Sequence, residues 1–221
     1  MVNFIKQLLD WIYHKKCYIC GKDAFSKPVC SKCLEEININ QFNPHKKIGS
    51  FEIYSATTYT ANIRKIIRGL KYHKKKDIAK PIADIMYSYW KNLSINSVDF
   101  EIIPMPLYSK REKERGYNQT YLIAEEFSKL TGYTVNNKIA RRIKNTEPQY
   151  KLSKKDRIKN LKDAFVVNKI EYTGKNLLLI DDISTTGTTL DELKKTFEKE
   201  GISVCYAFVV ANPVNESMFQ K

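Results

Sequence analysis

The stretch NLLLIDDISTTGTTLDEL, residues 176–193, sets an apolar run, two adjacent carboxylates and a loop of small polar residues side by side. The apolar run at 177–180 is typical of a buried strand, and residues 188–201 follow the period of an amphipathic helix. In an open α/β sheet, ligands bind where a strand ends and a helix begins, because the first helical amides attract anions. The stretch therefore predicts a strand, a ligand-binding loop and a helix.

The predicted loop has the chemistry of a phosphate cradle. Gly187 lets the backbone approach a phosphate closely, and threonine hydroxyls stand beside the exposed amides. Asp181 and Asp182 would repel the phosphate, yet they can accept hydrogen bonds from hydroxyl groups of the same ligand. A ribose 5-phosphate has that combination of groups. An ordinary helix N-cap is the alternative, but capping needs only one such side chain.

The rest of the chain alternates strands and helices, which favours an α/β layer with a mostly parallel sheet flanked by helices. The predicted strands are 51–59, 100–106, 176–180 and 202–210. The predicted helices are 60–73, 77–92, 118–132 and 188–201. Cys205, inside the last predicted strand, is expected to be a small core residue.

Two segments interrupt this alternation. Residues 38–49 are polar and rich in turn formers, which predicts a linker and divides the chain into domains 1–45 and 46–221. Residues 140–165 combine poor periodicity with many cations, which predicts a long, mobile, basic segment outside the core.

Four of the five cysteines occupy one short segment near the N-terminus as two C-x2-C pairs. Each pair can form a tight turn whose two thiolates converge on one ion, so the spacing predicts a four-thiolate zinc site. Because the protein would fill all four coordination positions, this zinc is expected to be structural. The alternative is a set of redox pairs or free thiols. The predicted ligands are Cys17, Cys20, Cys30 and Cys33.

The net charge of +14 predicts attraction to a polyanion such as nucleic acid, or to a phosphorylated small molecule. A high pI is also common in chains that bind no nucleic acid. No apolar run approaches the roughly 20 residues that span a bilayer, so stable membrane insertion is not expected. Residues 4–12 predict an amphipathic helix rather than an export signal, and the expected compartment is the cytosol.

The segment LLLIDDISTTGTT resembles the ribose-phosphate motif of type I phosphoribosyltransferases, whose shared ligand is 5-phosphoribosyl-1-pyrophosphate with Mg²⁺. The four-cysteine segment, IRGLKYHKKKD, IIPMPLYSKREKERGYNQT and EPQYKLSKKDRIKNLKDAF precede it in the order found in ComF-type competence proteins. That resemblance covers nearly the whole chain. It implies a zinc finger fused to a phosphoribosyltransferase-like domain, and a role in DNA uptake during natural transformation.

The resemblance also implies roles for individual residues. Asp181 and Asp182 would hold the ribose hydroxyls and are the catalytic candidates. The 104–118 segment would face the pyrophosphate with Arg111, Arg115 and Asn118, and Lys71 would border the same cleft; a solvated surface loop is the alternative for the cations. The residues implied to bind the phosphate are Ser184, Thr185, Thr186, Gly187, Thr188 and Thr189.

Two functions follow, and the sequence leaves turnover undecided. In the first, the basic surface binds single-stranded DNA during uptake, with DNA-uptake machinery proteins as further partners. In the second, the chain is a cytosolic salvage phosphoribosyltransferase, a glycosyltransferase acting on a nucleobase or related acceptor with no DNA role. The residues expected to bind nucleic acid are Arg141, Arg142, Lys144, Tyr150, Lys151, Lys154, Lys155 and Arg157.

Overall fold

The computed structural model describes residues 15–40, 46–145 and 161–213. Its helices are α1 (Ser31–Glu35), α2 (Ala61–Tyr72), α3 (Ala79–Trp90), α4 (Ser109–Arg115), α5 (Gln119–Thr131) and α6 (Thr188–Lys199). Its strands are β1 (Lys46–Ile48), β2 (Phe51–Thr58), β3 (Phe100–Pro104), β4 (Thr134–Val135), β5 (Ala140–Arg142), β6 (Phe165–Val167), β7 (Asn176–Ile183) and β8 (Tyr206–Asn212).

Within these ranges, six strands form one sheet in the order β1-β2-β8-β7-β3-β4. Every neighbouring pair is parallel except β1 with β2, so the predicted mostly parallel α/β sheet is confirmed. Strand β7 lies between β3 and β8, with Ile180 opposite both Pro104 and Phe208. The carboxyl ends of these three strands therefore meet at one edge of the sheet, where the chain leaves β7 for α6.

Strand β7 is buried on both faces, which explains its unbroken apolar run. Leu178 and Ile180 face the core beneath α2, α3 and α5, whereas Leu177 and Leu179 face the core beneath α6 and the β5–β6 hairpin. The first of these cores is rich in aromatic rings, and the Trp90 indole lies 5.3 Å from the ring of Phe208. The two helical layers hold β7 and its following loop in place.

The four-cysteine segment packs on helix α2 and shares its core. The Lys65 ammonium donates a hydrogen bond to the carbonyl of Ile19 at 2.9 Å, and the Tyr18 ring lies against Gly69. A Cβ added at Gly69 would come within 2.6 Å of that ring, so the close approach requires glycine at this position. Cys17 and Cys33 are buried in the same apolar cluster as the α2 side chains.

The prediction of a linker at 38–49 is wrong for the residues that the structure describes. The amide of Asn40 donates to the carbonyl of Ala56 at 2.9 Å, and β1 extends the sheet as an antiparallel edge strand. The polar composition that resembled a linker is that of an edge strand with one exposed face. The sequence around it favoured turns, but pairing with β2 decides its structure.

Two further predictions are corrected. Cys205 is exposed and precedes β8, because the last strand begins at Tyr206 rather than at residue 202. The ends of the 140–165 segment are ordered and not outside the core: β5 pairs with β6, and Ala140 and Phe165 are buried. Residues 146–160 of that segment, and the helix predicted at 4–12, lie outside the described residues.

The remaining elements follow the predicted pattern with shifted boundaries. Strand β7 continues through Asp181 and Asp182, so both carboxylates stand on a strand rather than in a loop. The segment that the resemblance treats as a pyrophosphate-facing loop contains helix α4. In the described ranges, no helix is long and apolar enough to cross a bilayer.

Candidate functional site: a carboxylate and hydroxyl pocket after strand β7

The loop between β7 and α6 lines an open concavity whose empty space, including solvent at its mouth, is about 220 Å³. Gly187 makes the turn with a φ of +76°, and a Cβ there would lie 2.9 Å from the side chain of Ile53. Both the conformation and the contact select glycine. The lining residues are Asp181, Ile183, Ser184, Thr185, Thr186, Gly187, Thr188, Thr189 and Leu190.

The hydroxyl groups of the loop differ in what they contact. Thr186 and Thr188 form a hydrogen bond between their hydroxyls at 2.6 Å, which braces the turn. The Ser184 side chain is only 4% exposed, and its hydroxyl has no hydrogen-bond partner among the described residues. Since a buried hydroxyl without a partner costs about 1–3 kcal/mol, Ser184 is a group that a polar ligand can satisfy.

Lys46 contributes a cation that the sequence reading missed. It lies on β1, inside the segment predicted to be a linker, and its ammonium donates a hydrogen bond to the Thr186 carbonyl. Its stem lies 3.3 Å from the position of a Cβ on Gly187. The sequence gives no sign of this contact, because 140 residues separate the two partners.

Asp182 is engaged by the protein itself. Its side chain faces the α2 side of the sheet, where the Lys71 ammonium donates to one carboxylate oxygen at 2.7 Å. The Gln119 amide donates to the other oxygen at 2.9 Å. Burial disfavours the charge of Lys71, but the two aspartates outweigh it and raise the pKa of Lys71 above its usual value. Asp182 and Lys71 therefore form a buried ion pair that orders the end of β7.

Asp181 points to the opposite side and lines the concavity. It accepts a hydrogen bond from the Asp182 amide at 2.8 Å. Burial is the largest influence and the charge of Asp182 the second, and together they raise the pKa of Asp181 to about 7. Lys71 and Arg142 act against this shift. The adjacent carboxylates thus differ: Asp182 is ion-paired, and Asp181 changes charge near neutral pH.

The predicted pyrophosphate-facing residues have different contacts. Asn118 caps α5: its oxygen accepts from the Thr120 amide at 3.0 Å, and its amide donates to the Met105 carbonyl at 3.0 Å. Arg115 donates to the oxygen of Gln119, which links it to Asp182 through one side chain. The sequence analysis missed Gln119. It is the first residue of α5, where a polar side chain is expected to be exposed, but its amide is buried.

Arg142 lies near Asp181 at the end of β7 rather than on an open surface. It is half-buried, with its guanidinium over the Phe165 ring at 5.6 Å. Burial and the neighbouring charge of Arg111 lower the pKa of Arg142 to about 10, and Asp181 opposes that shift. Arg142 thus interacts electrostatically with Asp181 on one side and with Arg111 on the other.

The other residues predicted to bind nucleic acid divide into two groups. Arg141 and Lys144 are exposed on the β5 side, and the Lys144 ammonium donates to the Lys162 carbonyl at 2.7 Å. Tyr150, Lys151, Lys154, Lys155 and Arg157 lie outside the described residues.

The four cysteines of the N-terminal segment form a cluster that could hold a metal ion. Their sulfur atoms all lie within 4.8 Å of one another, and the Cys20 and Cys30 sulfurs are 3.9 Å apart. Zinc–sulfur bonds of about 2.3 Å in a tetrahedron place the sulfurs about 3.8 Å apart, so the spacing fits zinc. All four thiols are free of disulfide bonds.

The electrostatics of the cluster favour a thiolate at Cys17. Burial opposes ionisation there, but nearby backbone amides outweigh it and lower the pKa of Cys17 to about 6. One of these amides, that of Cys30, donates to the Cys17 sulfur at 3.3 Å. Since metals bind the thiolate form, the backbone is already arranged for the bound state.

The fold and site define an α/β protein with a glycine-containing, hydroxyl-rich loop at the end of a parallel strand and a four-cysteine cluster packed on helix α2. No family model matches the chain. Competence protein F of Haemophilus influenzae is 32% identical over 195 residues, which are 84% of this chain and 85% of that protein. The chain therefore belongs to the ComF-type competence protein family.

More distant relatives agree with that assignment. DNA utilization protein YhgH of Salmonella typhimurium is 25% identical over 190 residues, covering 84% of this chain and 78% of that protein. Competence protein ComFC of Bacillus subtilis is 25% identical over 174 residues, covering 79% of this chain and 68% of that protein.

The cysteine cluster predicts about one zinc per chain in protein purified without chelator, measured by elemental analysis. Cys17→Ser combined with Cys30→Ser removes two thiolates and should abolish metal retention and lower the thermal unfolding temperature. Cys205→Ser is the matched control, because Cys205 is exposed and outside the cluster. Full zinc content in the double variant would contradict the assignment.

The two aspartates predict opposite effects on stability. Asp181 has a pKa above its unfolded value, so the native state loses stability as the pH rises from about 4 to about 7. Asp181→Asn should therefore stabilise the ligand-free protein by up to roughly 4 kcal/mol at pH 8 and by little near pH 4. Asp182→Asn should destabilise it at pH 8, because Lys71 loses its partner.

Urea denaturation of the wild type and both variants at pH 8 and at pH 4 measures this difference in the free energy of unfolding. Asp84→Asn, which removes an exposed partner of Lys80, is the control and should change little. Equal destabilisation by both aspartate variants at pH 8 would show that Asp181 is not held above its usual pKa.

Proposed function

We propose that this chain binds 5-phosphoribosyl-1-pyrophosphate with Mg²⁺ in the concavity after β7, binds single-stranded DNA, and acts in DNA uptake during natural transformation. The observation that carries the proposal is the difference between the two aspartates. Asp182 is bonded to Lys71 and Gln119, whereas Asp181 lines the concavity beside the hydroxyl-rich loop. In this proposal residues 46–221 bind the ligand, and residues 1–45 hold a structural zinc.

The loop supports a phosphate at the start of α6. The first amides of this 12-residue helix carry partial positive charge, and Thr185, Thr188 and Thr189 border them. Ser184 adds a buried hydroxyl that has no protein partner among the described residues. Lys46 stands beside the same turn and supplies a full positive charge.

Asp181 supports binding of the ribose hydroxyls. It is the carboxylate that lines the concavity, and its ionised form accepts two hydrogen bonds from a diol. Mg²⁺ prefers one or two carboxylates together with oxygens of a phosphorylated ligand, so Asp181 is the residue that would hold it. The metal would supply charge neutralisation for the pyrophosphate. Asp182 would not contact the ligand; it contributes indirectly, because its bonds to Lys71 and Gln119 fix the end of β7.

Arg111 and Arg142 support binding of the pyrophosphate. Arg142 interacts electrostatically with Asp181 and with Arg111, and Arg142 is partly removed from water. A cation with little hydration gains more from an anionic ligand than a solvated one does. Arg142 thereby takes a ligand-binding role in place of the DNA contact predicted from sequence, and Asn118 takes a capping role.

The DNA-related part of the proposal rests on charge and on the relatives. Relatives are named competence protein F, DNA utilization protein YhgH and competence protein ComFC. The net charge of +14 favours a polyanion as partner.

A cytosolic salvage phosphoribosyltransferase without a DNA role is the second candidate. The pKa of about 7 for Asp181 favours it, because such a carboxyl can exchange a proton with a reacting ligand near neutral pH.

Calorimetry with 5-phosphoribosyl-1-pyrophosphate and Mg²⁺ tests the ligand. We expect binding by the wild type that tightens by about tenfold between pH 6 and pH 8 as Asp181 ionises. Asp181→Asn should weaken binding by about tenfold or more at pH 8 and flatten this pH dependence. Asp84→Asn, the exposed control, should bind as the wild type does. Absence of binding by the wild type would remove the ligand assignment.

The same titration with ribose 5-phosphate separates the two ends of the ligand. Arg142→Met should weaken binding of the pyrophosphate compound and leave binding of ribose 5-phosphate nearly unchanged. Release of pyrophosphate during incubation with nucleobase acceptors, lost in Asp181→Asn, would favour the salvage enzyme over the DNA-uptake protein.

Fluorescence anisotropy with a labelled single-stranded oligonucleotide tests the DNA partner. We expect the logarithm of the wild-type association constant to fall linearly with the logarithm of salt concentration, with a slope of about −0.7 for each phosphate neutralised. If the oligonucleotide does not bind, or if its association constant does not change with salt concentration, DNA is removed from the proposed function. The proposal for the phosphoribosyl ligand would not be affected.

A further inference from the structure

The residues from 53 to 76 form the most one-sided stretch of charge in the described chain. They contain no Asp or Glu and include helix α2, which has one buried and one exposed face. The cations of this stretch are Arg64, Lys65, Arg68, Lys71, Lys74, Lys75 and Lys76. Lys71 turns inward to Asp182, and the other six are exposed.

An exposed aromatic ring stands within this basic face. Tyr72 is 64% exposed, and the guanidinium groups of Arg68 and Arg115 lie 5.8 and 5.7 Å from its ring centroid. Arg64, Arg68 and Tyr72 follow one another at intervals of four residues, so they form one stripe along α2. Large apolar rings are normally buried, and this one contributes nothing to the core.

The basic face continues beyond the helix. The Lys76 ammonium lies 5.0 Å from the centroid of the Tyr117 ring, and Tyr117 is two residues after Arg115. The Tyr117 hydroxyl donates to the Leu70 carbonyl at 2.6 Å, which ties this edge to α2. We call the group of Arg64, Arg68, Tyr72, Lys76 and Arg115 the Tyr72 surface.

We propose that the Tyr72 surface is the track for single-stranded DNA, with one base stacked on Tyr72 and the flanking phosphates on the surrounding cations. This inference rests on the proposed function and assigns its DNA partner to particular residues. A stacking base displaces one guanidinium from the ring, and that guanidinium then pairs with an adjacent phosphate. The stretch predicted from sequence, 141–157, is the competing location.

The combination of an exposed ring and close guanidinium groups favours a single strand. Base stacking on an aromatic side chain needs an unpaired base, whereas a duplex offers this surface only its phosphates. An acidic protein segment would also meet the cations, but it has no flat group to cover Tyr72. Oligonucleotide length and sequence matter little for such a surface, since every base has a stacking face.

The Tyr72 surface adjoins the ligand pocket through a short series of contacts. Arg115 touches Tyr72 on one side and Gln119 on the other, and Gln119 bonds to Asp182. Lys71, the residue before Tyr72, bonds to the same carboxylate. A strand on Tyr72 is therefore held beside the end of β7.

The test uses anisotropy of a labelled oligothymidylate with the full chain and its variants. Tyr72→Ala should weaken binding by about tenfold or more, and Tyr72→Phe should restore it, because the ring is kept. Arg68→Ala should reduce the salt slope by about 0.7. Lys169→Ala is the matched control: Lys169 is an exposed cation beside Gly201, at the far end of α6, and its loss should leave the slope unchanged.

A duplex of equal length should show little difference between Tyr72→Ala and the wild type, and circular dichroism should give all variants the same unfolding temperature within a few degrees. Undiminished binding of the oligothymidylate by Tyr72→Ala would overturn the Tyr72 surface. So would a loss of binding confined to charge reversals at 151–157. A wild type that binds no oligonucleotide would instead refute the DNA part of the proposed function.

Discussion

The structure depends on how two adjacent carboxylates at the end of a buried strand are kept in place. Successive side chains of a strand point to opposite faces, so Asp181 and Asp182 enter different environments. Lys71 and Gln119 neutralise and fix Asp182 from the helical side. Burial, and after it the charge of Asp182, raises the pKa of Asp181 to about 7, so Asp181 ionises only near neutral pH. The ion pair is what allows a second carboxylate to stand at the pocket.

Helix α2 is the element that connects these features. Its buried face closes the aromatic core, and its last turn delivers Lys71 to Asp182. Its exposed stripe carries Arg64, Arg68 and Tyr72. Because one helix carries all three, its regular geometry fixes the core contact, Lys71 and the exposed stripe in position relative to one another.

The sequence predicted those parts of the fold and site that depend on local pattern. The apolar run before Asp181 and the period after Thr188 indicated the strand and the helix, and the cysteine spacing indicated the cluster. Lys46 and Gln119 were missed because each reaches its partner across a long separation in the chain. Cys205 was misplaced because an apolar run does not say where strand pairing starts.

Arg142 shows a different limit. Its neighbours in sequence are cations and polar residues, which indicated a solvated segment, yet β5 pairs with β6 and alternates its side chains. Arg141 is exposed as a result, while Arg142 is half-buried beside Phe165 and Asp181. Only the pairing register, which composition does not encode, separates the two.

The four-cysteine segment does not line the pocket, but it contacts the helix that carries Lys71. Lys65 bonds to Ile19 and Gly69 lies against Tyr18, with the core residues Ile66 and Ile67 between them in the sequence. Just beyond α2, the Lys15 ammonium pairs with Asp77 at 2.9 Å. These contacts surround the turn that carries Lys71. A metal that stabilises the segment therefore stabilises the position of the Lys71 ammonium, and through it the carboxylate that orders the end of β7. The order at the end of β7 therefore depends on the N-terminal segment as well as on α2.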